Sequence, residues 1–239
     1  KRELDLDTAV VTVSYETDGM RIIRETLAHF TEDFIVTRIK GEGGLVSGRF
    51  WLDRVEDKDC TLEKTLCKNT IFMKGRFVEG IEFCVEATLF VNGGDIKAEE
   101  DITLVVENAE EIVVFINIGT SVKGEKPEIE CKKRPIPNLG WGELKNRHVQ
   151  EYRRIYGKLS LDLSVEEKNL PTDERLKDFR QGAEDPGLPL LYFNYGRYLL
   201  LSSTVLGELP PNLQGKWNED LNPPWQCDYH NDVNLQMCY

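Results

Sequence analysis

The sequence predicts an α+β chain, an antiparallel β-sandwich followed by helices that open a larger helical domain. Three observations lead there. Short runs rich in Val, Ile, Phe and Thr recur through the first 140 residues, separated by Gly- and Asn-containing turns. No helical periodicity intervenes between those runs, which favours antiparallel pairing over βαβ units. Beyond residue 140 the apolar spacing becomes helical.

The elements follow in order. Residues 9–15 (AVVTVSY) are β-branched and alternate in part, and Asp18-Gly19 is a hairpin-type turn into a second run at 20–27. Further runs are expected at 34–39, 71–78, 81–89, 102–106 and 112–118, with turn residues at 41–44, Gly75, Gly80 and 92–94. No repeat of fixed period emerges, which disfavours a propeller or solenoid. After Pro135-Ile136-Pro137, residues 141–156 carry apolar side chains at 141, 144, 149, 152, 155 and 156, a helical pattern. A second helix is expected to start at Thr172 as its cap, with Asp173 and Glu174 near its positive end, and to stop at Gly182. A third runs from about Pro189 through Tyr192, Tyr195, Tyr198 and Ser202. It is apolar around much of its circumference, so other helices must cover it. The division expected is a β-sandwich domain over 1–140, a helical linker over 141–170 and the start of a helical domain over 171–239.

Composition narrows the function. Among 239 residues, 42 are acidic and 30 basic, for a net charge of −12. Such a balance argues against nucleic acid and against an anionic membrane surface as partners. The longest apolar run, residues 112–116, is far too short for a membrane-spanning helix. The chain starts at Lys1 without Met, and both ends read as cut, so compartment and oligomeric state are not legible. Six cysteines lie scattered without a CxxC pair, so no metal or other cofactor is expected. They read as mostly buried, small, reduced side chains; a Cys60–Cys67 bridge is chemically allowed, but a chain this long needs no staple. His29, His148 and His230 are too dispersed to suggest a metal site. Trp51 and Trp141 read as core or interdomain packing.

The most informative stretch is LPPNLQGKWNEDLNPPWQCDYHNDVNLQMCY, from residue 209 onward. A long Pro-, Asn- and Trp-rich loop between helices is unusual in a compact domain, and such loops tend to be functional. Its composition suits sugar. Trp217, Trp225 and Tyr229 offer flat apolar faces for the C–H side of a pyranose, and Asn212, Gln214, Asn218, Asn222 and Asn231 offer donors and acceptors for hydroxyls. Asp228, His230, Asp232 and Asn234 alternate, so in an extended stretch they project to one side. Taken singly, each Asn reads as a turn or cap residue; taken together, the cluster reads as a glycan site. His230 alone reads as a hydrogen-bonded partner rather than a general base, and Met237 and Cys238 read as core.

LPPNLQGKWN, then NPPWQCDYH and NLQM, closely resembles the catalytic-domain signature of glycoside hydrolase family 95, the inverting α-L-fucosidases and related α-L-galactosidases. RELDLDTAVVTVSYETDGMRIIRE resembles that family's N-terminal β domain, and LPTDERLKDFRQG and LYFNYGRYLLLSS resemble the segments leading into its barrel. The resemblance implies an N-terminal β-supersandwich, linker helices and an (α/α)6 barrel inside which this chain stops. It implies hydrolysis of terminal α-L-fucosyl, or α-L-galactosyl, residues of oligosaccharides with inversion. The general acid, a Glu, and an Asp that polarises the water-activating Asn would both lie downstream of residue 239, leaving the 239 residues inactive alone. The family pattern His-x-Asn-x-Asn meets residues 230–234 here. His230 falls on the sugar-contacting His and Asn234 on the water-activating Asn, while Asp232 replaces the first Asn. The resemblance thus places Asn234 and Asp232 in catalysis, with His230, Trp217, Trp225, Asn212 and Gln214 in substrate binding. A carboxylate at 232 either supplies general-base chemistry itself or shifts the preferred sugar. From a different class, a carbohydrate-binding protein on the same fold would hold glycans without cleaving them.

Overall fold

In the computed structural model, which describes residues 1–166, 168–204, 207 and 209–238, strands first pair into two antiparallel sheets. The described strands are β1 (Arg2–Asp5), β2 (Val10–Thr17), β3 (Met20–Ala28), β4 (Ile35–Glu42), β5 (Val46–Phe50) and β6 (Cys60–Cys67). They continue as β7 (Thr70–Phe77), β8 (Glu82–Asn92), β9 (Asp95–Glu99), β10 (Thr103–Ala109) and β11 (Glu111–Thr120). Eight form a sheet in the order β1-β2-β3-β4-β11-β8-β7-β6, and three form a second in the order β5-β10-β9. Helices follow: α1 (Pro127–Lys132), α2 (Trp141–Tyr156), α3 (Thr172–Arg180), α4 (Leu188–Thr204) and the single-turn α5 (Asn234–Met237). The α+β class is the one expected, a two-sheet sandwich followed by helices. No helix among the described residues is long and apolar enough to cross a membrane.

Central strand β11 explains the longest apolar run. Ile112 and Val114 face the second sheet, where they join Ile22, Val46, Ile71, Leu89, Leu104 and Val106 in one core. Val113 and Phe115 point the other way, into a core with Val10, Leu27, Phe34, Val36 and Leu144 of α2. A strand buried on both faces loses the polar half of its alternation. The hairpin at Asp18-Gly19 forms as expected, with both residues left-handed at φ 50° and 73°.

Gly75 is not a turn residue but sits inside β7. A Cβ there would lie 2.1 Å from the Phe83 ring, so glycine makes room for an aromatic on the neighbouring strand. Thr172 is the first helical residue of α3, with Pro171 as its cap and no side-chain capping bond. Helix α1 has no counterpart in the expected elements. The cysteines are all free, but only Cys84 and Cys131 are buried. Cys60 and Cys67 lie at opposite ends of an eight-residue strand, roughly 23 Å apart at about 3.3 Å per residue, far beyond a disulfide's reach. Trp51, expected as packing, is 61% exposed.

The chain divides into two compact units, Lys1–Glu151 and Tyr152–Tyr239, the boundary falling inside α2. Within the first unit, the start of α2 is fastened to the sheet by charge. Trp141 Nε1 donates to Glu25 at 3.0 Å, and Lys145 and Arg38 pair with the same carboxylate. Burial pushes Glu25 up, but Lys145 and Arg38 outweigh it and hold the carboxyl below its usual range. Arg147 pairs with Glu32 at 2.7 Å.

Candidate functional site

The second unit builds the candidate site around α4 and the loop after it. Tyr156 Oη donates to the Asn194 carbonyl at 3.2 Å, and Arg197 lies 4.4 Å over the Tyr156 ring while donating to the Tyr156 carbonyl at 2.6 Å. Before α4, Arg175 of α3 makes two 2.9 Å bonds to Asp185, which also accepts from the Gly187 N–H at 3.2 Å. That bond pattern with Arg175 holds the Asp185 carboxyl below its usual range and fixes the entry to the helix. At the other end, Ser203 and Thr204 turn their hydroxyls back onto the Leu199 and Leu200 carbonyls.

After α4 the backbone proceeds by turns. Asn212 Oδ1 accepts from the Gln214 N–H at 3.0 Å, and Asn218 Oδ1 accepts from the Asp220 N–H at 2.7 Å. Each of these two amide oxygens thus closes a local turn. Gly215, at φ +64°, leaves the space in which a Cβ would meet the Trp217 ring at 3.1 Å. The Trp217 ring tilts over Tyr198, centroids 6.1 Å apart, and burial raises the Tyr198 pKa. Two bonds close the loop: the Leu213 N–H donates to the Asp228 carbonyl at 3.2 Å, and Gln214 Nε2 donates to the Pro224 carbonyl at 3.3 Å. The buried Gln214 Oε1 has no partner among the described residues. Trp225, Gln226 and Cys227 are successively left-handed, at φ 48°, 56° and 52°. Each such residue costs on the order of 1–2 kcal/mol, a strain that clusters at functional loops. The Trp225 ring is 72% exposed.

Asn212, His230 and Asn234 line one hollow of about 200 Å³, together with Leu213, Tyr229 and Leu235. That volume lies below the roughly 300 Å³ from which ligand pockets run upward. Asp232, Gln214, Trp217 and Trp225 do not line it. The expected alternation holds for its first pair, with His230 Nε2 donating to Asp228 Oδ1 at 2.6 Å. It then breaks, because residues 231–233 form a turn into α5; Asp232 and Asn234 are both exposed, and of the two only Asn234 lines the hollow. Met237, expected in the core, is 77% exposed on the four-residue α5. Asp228, expected only as one member of that alternation, thus gains a specific partner in His230, at the i, i+2 spacing that the sequence showed. Among the described residues, the one group of side chains placed to hold a metal ion lies in the sandwich.

Residues 1–125, just over half of the chain, match the glycosyl hydrolase family 65 N-terminal domain. Residues 140–239 match the glycosyl hydrolase family 95 catalytic domain. The chain is 30% identical to Alpha-L-fucosidase 2 of Arabidopsis thaliana, aligned over all of this chain and 33% of that protein. It is also 30% identical to Probable alpha-fucosidase A of Aspergillus niger, over 99% of this chain and 32% of that protein. The namesake in Aspergillus oryzae is 24% identical, over 99% of this chain and 36% of its own length. The chain thus spans about a third of the length of the curated relatives it matches.

Proposed function

The chain belongs to the glycosyl hydrolase family 65 N-terminal-domain family, and from that premise we propose that the protein is an inverting glycoside hydrolase of family 95 type. Its substrates are oligosaccharides ending in α-L-fucosyl or α-L-galactosyl residues. The observation that carries the reading is the hollow shared by Asn212, His230 and Asn234, in a segment that matches a catalytic domain. The sandwich over 1–140 is scaffold, 141–170 the linker, and 171–239 the opening of an (α/α)6 catalytic domain.

In this reading Asn234 positions the attacking water and His230, braced by Asp228, contacts a sugar hydroxyl. Asn212 and Gln214 supply further hydroxyl contacts, while Trp217 and Trp225 give apolar faces. An inverting enzyme keeps its two groups roughly 6.5–9.5 Å apart so that a water fits between base and sugar. An amide is too weak a base to work unaided, so Asn234 requires a polarising carboxylate. The general acid is not assigned to any of residues 1–239. Asp232, which is not among the residues lining the hollow, influences sugar preference rather than taking the water's proton in this reading.

The test uses the full-length protein on an α-1,2-fucosylated oligosaccharide and its L-galactosyl counterpart. Release of the terminal sugar, with Asn234→Ala lowering kcat by on the order of 10²-fold or more while KM changes little, is expected. Binding of the glycan without hydrolysis would favour the carbohydrate-binding alternative instead.

A further inference from the structure

Beneath α1, the helix-bearing face of the eight-stranded sheet carries a group of side chains that the carbohydrate reading does not use. Cys84 and Glu86 stand two residues apart on β8 and so project from the same face. Asn117 of β11 is the register partner of Glu86, which brings their Cβ atoms to within about 5 Å. Cys131 descends from α1, whose close approach depends on Gly119, where a Cβ would lie 2.1 Å from the Pro127 carbonyl oxygen. The sulfurs of Cys84 and Cys131 and a carboxylate oxygen of Glu86 all lie within 4.8 Å of one another.

Ordinary packing accounts for only part of this group: Cys131 Sγ donates to the Cys84 carbonyl at 3.6 Å. Both thiols are reduced and at most 1% exposed. Glu86 is half-buried, yet its carboxylate has no hydrogen bond or ion pair among the described residues. Of the nearby cations, Lys74, register partner of Cys84, is taken by Glu128 at 2.6 Å, while Lys132 of α1 acts on the Glu86 carboxylate by charge without a hydrogen bond. Asn117 is 4% exposed and donates Nδ2 to the Arg134 carbonyl at 3.1 Å, but its buried Oδ1 has no partner. An unpaired buried acceptor is costly, and here it neighbours a half-buried carboxylate that lacks a hydrogen bond.

We propose that Cys84, Cys131, Glu86 and Asn117 bind a divalent metal ion of zinc type and so pin α1 to the sandwich. Two thiolates favour zinc over calcium or magnesium, and two sulfurs with two oxygens satisfy tetrahedral coordination. With Zn–S near 2.3 Å the sulfurs stand about 3.8 Å apart, so the two thiols close by at most about 1 Å from their present separation. Each thiol gives up its proton to solvent as the metal binds.

Titration of the reduced 239-residue chain with Co²⁺ tests this. One ion per chain is expected, with a thiolate-to-cobalt charge-transfer band in the near ultraviolet that one equivalent of Zn²⁺ abolishes. Zn²⁺ should also raise the melting temperature, whereas Ca²⁺ should not. Cys131→Ser should remove the band, and Cys67→Ser, at an exposed position, should leave it intact. Because Cys131→Ser could loosen α1, Glu86→Gln serves as the second variant, with both thiols kept and affinity down at least tenfold. The proposal is overturned by a missing band at saturating Co²⁺, by a band of unchanged affinity in either variant, or by a melting temperature indifferent to Zn²⁺. Conversion of the two thiols to a disulfide in a chain that takes up no Co²⁺ would assign them to redox chemistry instead.

Discussion

His148 is 1% exposed, and both of its ring nitrogens are committed. Nδ1 accepts from the Phe30 N–H at 3.2 Å and Nε2 faces the Thr8 carbonyl at 3.0 Å, so the neutral Nε2–H tautomer satisfies both. Burial is the main cause that lowers its pKa to about 4, against 6.5 when exposed. Between those values the unfolded chain binds the proton and the folded one does not. The contribution is therefore intact above about pH 6.5 and is lost as pH falls towards 4. The gap is worth at most about 3 kcal/mol. His29, also lowered chiefly by burial, acts in the same direction. His148→Gln should flatten the unfolding free energy across pH 4 to 6.5, read by denaturant melts at several pH values; an unchanged slope would contradict this assignment. At the candidate site, Asp232→Asn in the full-length protein distinguishes the two roles of that position. Activity should survive, with a changed preference between L-fucose and L-galactose. A loss on the order of 10²- to 10⁴-fold on both sugars is what a general base would give. The composition of this loop was legible in the sequence, and so was the Asp228–His230 spacing. The turn at 231–233 was not, because the alternation argument assumes an extended chain where a new helix begins.

Among the elements, the strands that the sequence hides share a position in the sheets. β1 and β6 are the two edges of the large sheet, and β5 and β9 are the edges of the small one. Edge strands bury little and carry charge against unwanted pairing, so their apolar alternation is weak. β9 (DIKAE) is exposed along its whole length. Every interior strand kept a readable β-branched run, and the clearest is β11, which serves two cores. Phe115 lies at the junction of that strand with α2, stacked edge-on against Phe34 and Phe90 at 5.3 and 5.7 Å. Phe115→Ala should cost about 3–5 kcal/mol, measured by denaturant unfolding of the 239-residue chain. A cost under about 1 kcal/mol would mean that the helix-side core is not structural. Helix α1 escaped notice because six residues give too few turns for a period to show. Helices α2, α3 and α4 are long enough for spacing and end signals to mark them, down to the left-handed Gly182 after α3.

For the whole molecule, the two halves carry different kinds of information. The sandwich is stabilised by cores that general β-patterning reveals, whereas the 209–237 segment acquires meaning from side-chain chemistry that backbone periodicity does not encode. His230 and Asn234 line a hollow in that segment, and the first unit holds its own group of two thiols and a carboxylate. The stereochemical course of glycan hydrolysis bears most directly on the central claim. With the full-length protein acting on an α-1,2-fucosylated oligosaccharide, proton NMR in the first minutes should show β-L-fucose appearing before mutarotation produces the α-anomer. Initial release of α-L-fucose would mean a covalent, retaining route and would contradict the role given to Asn234.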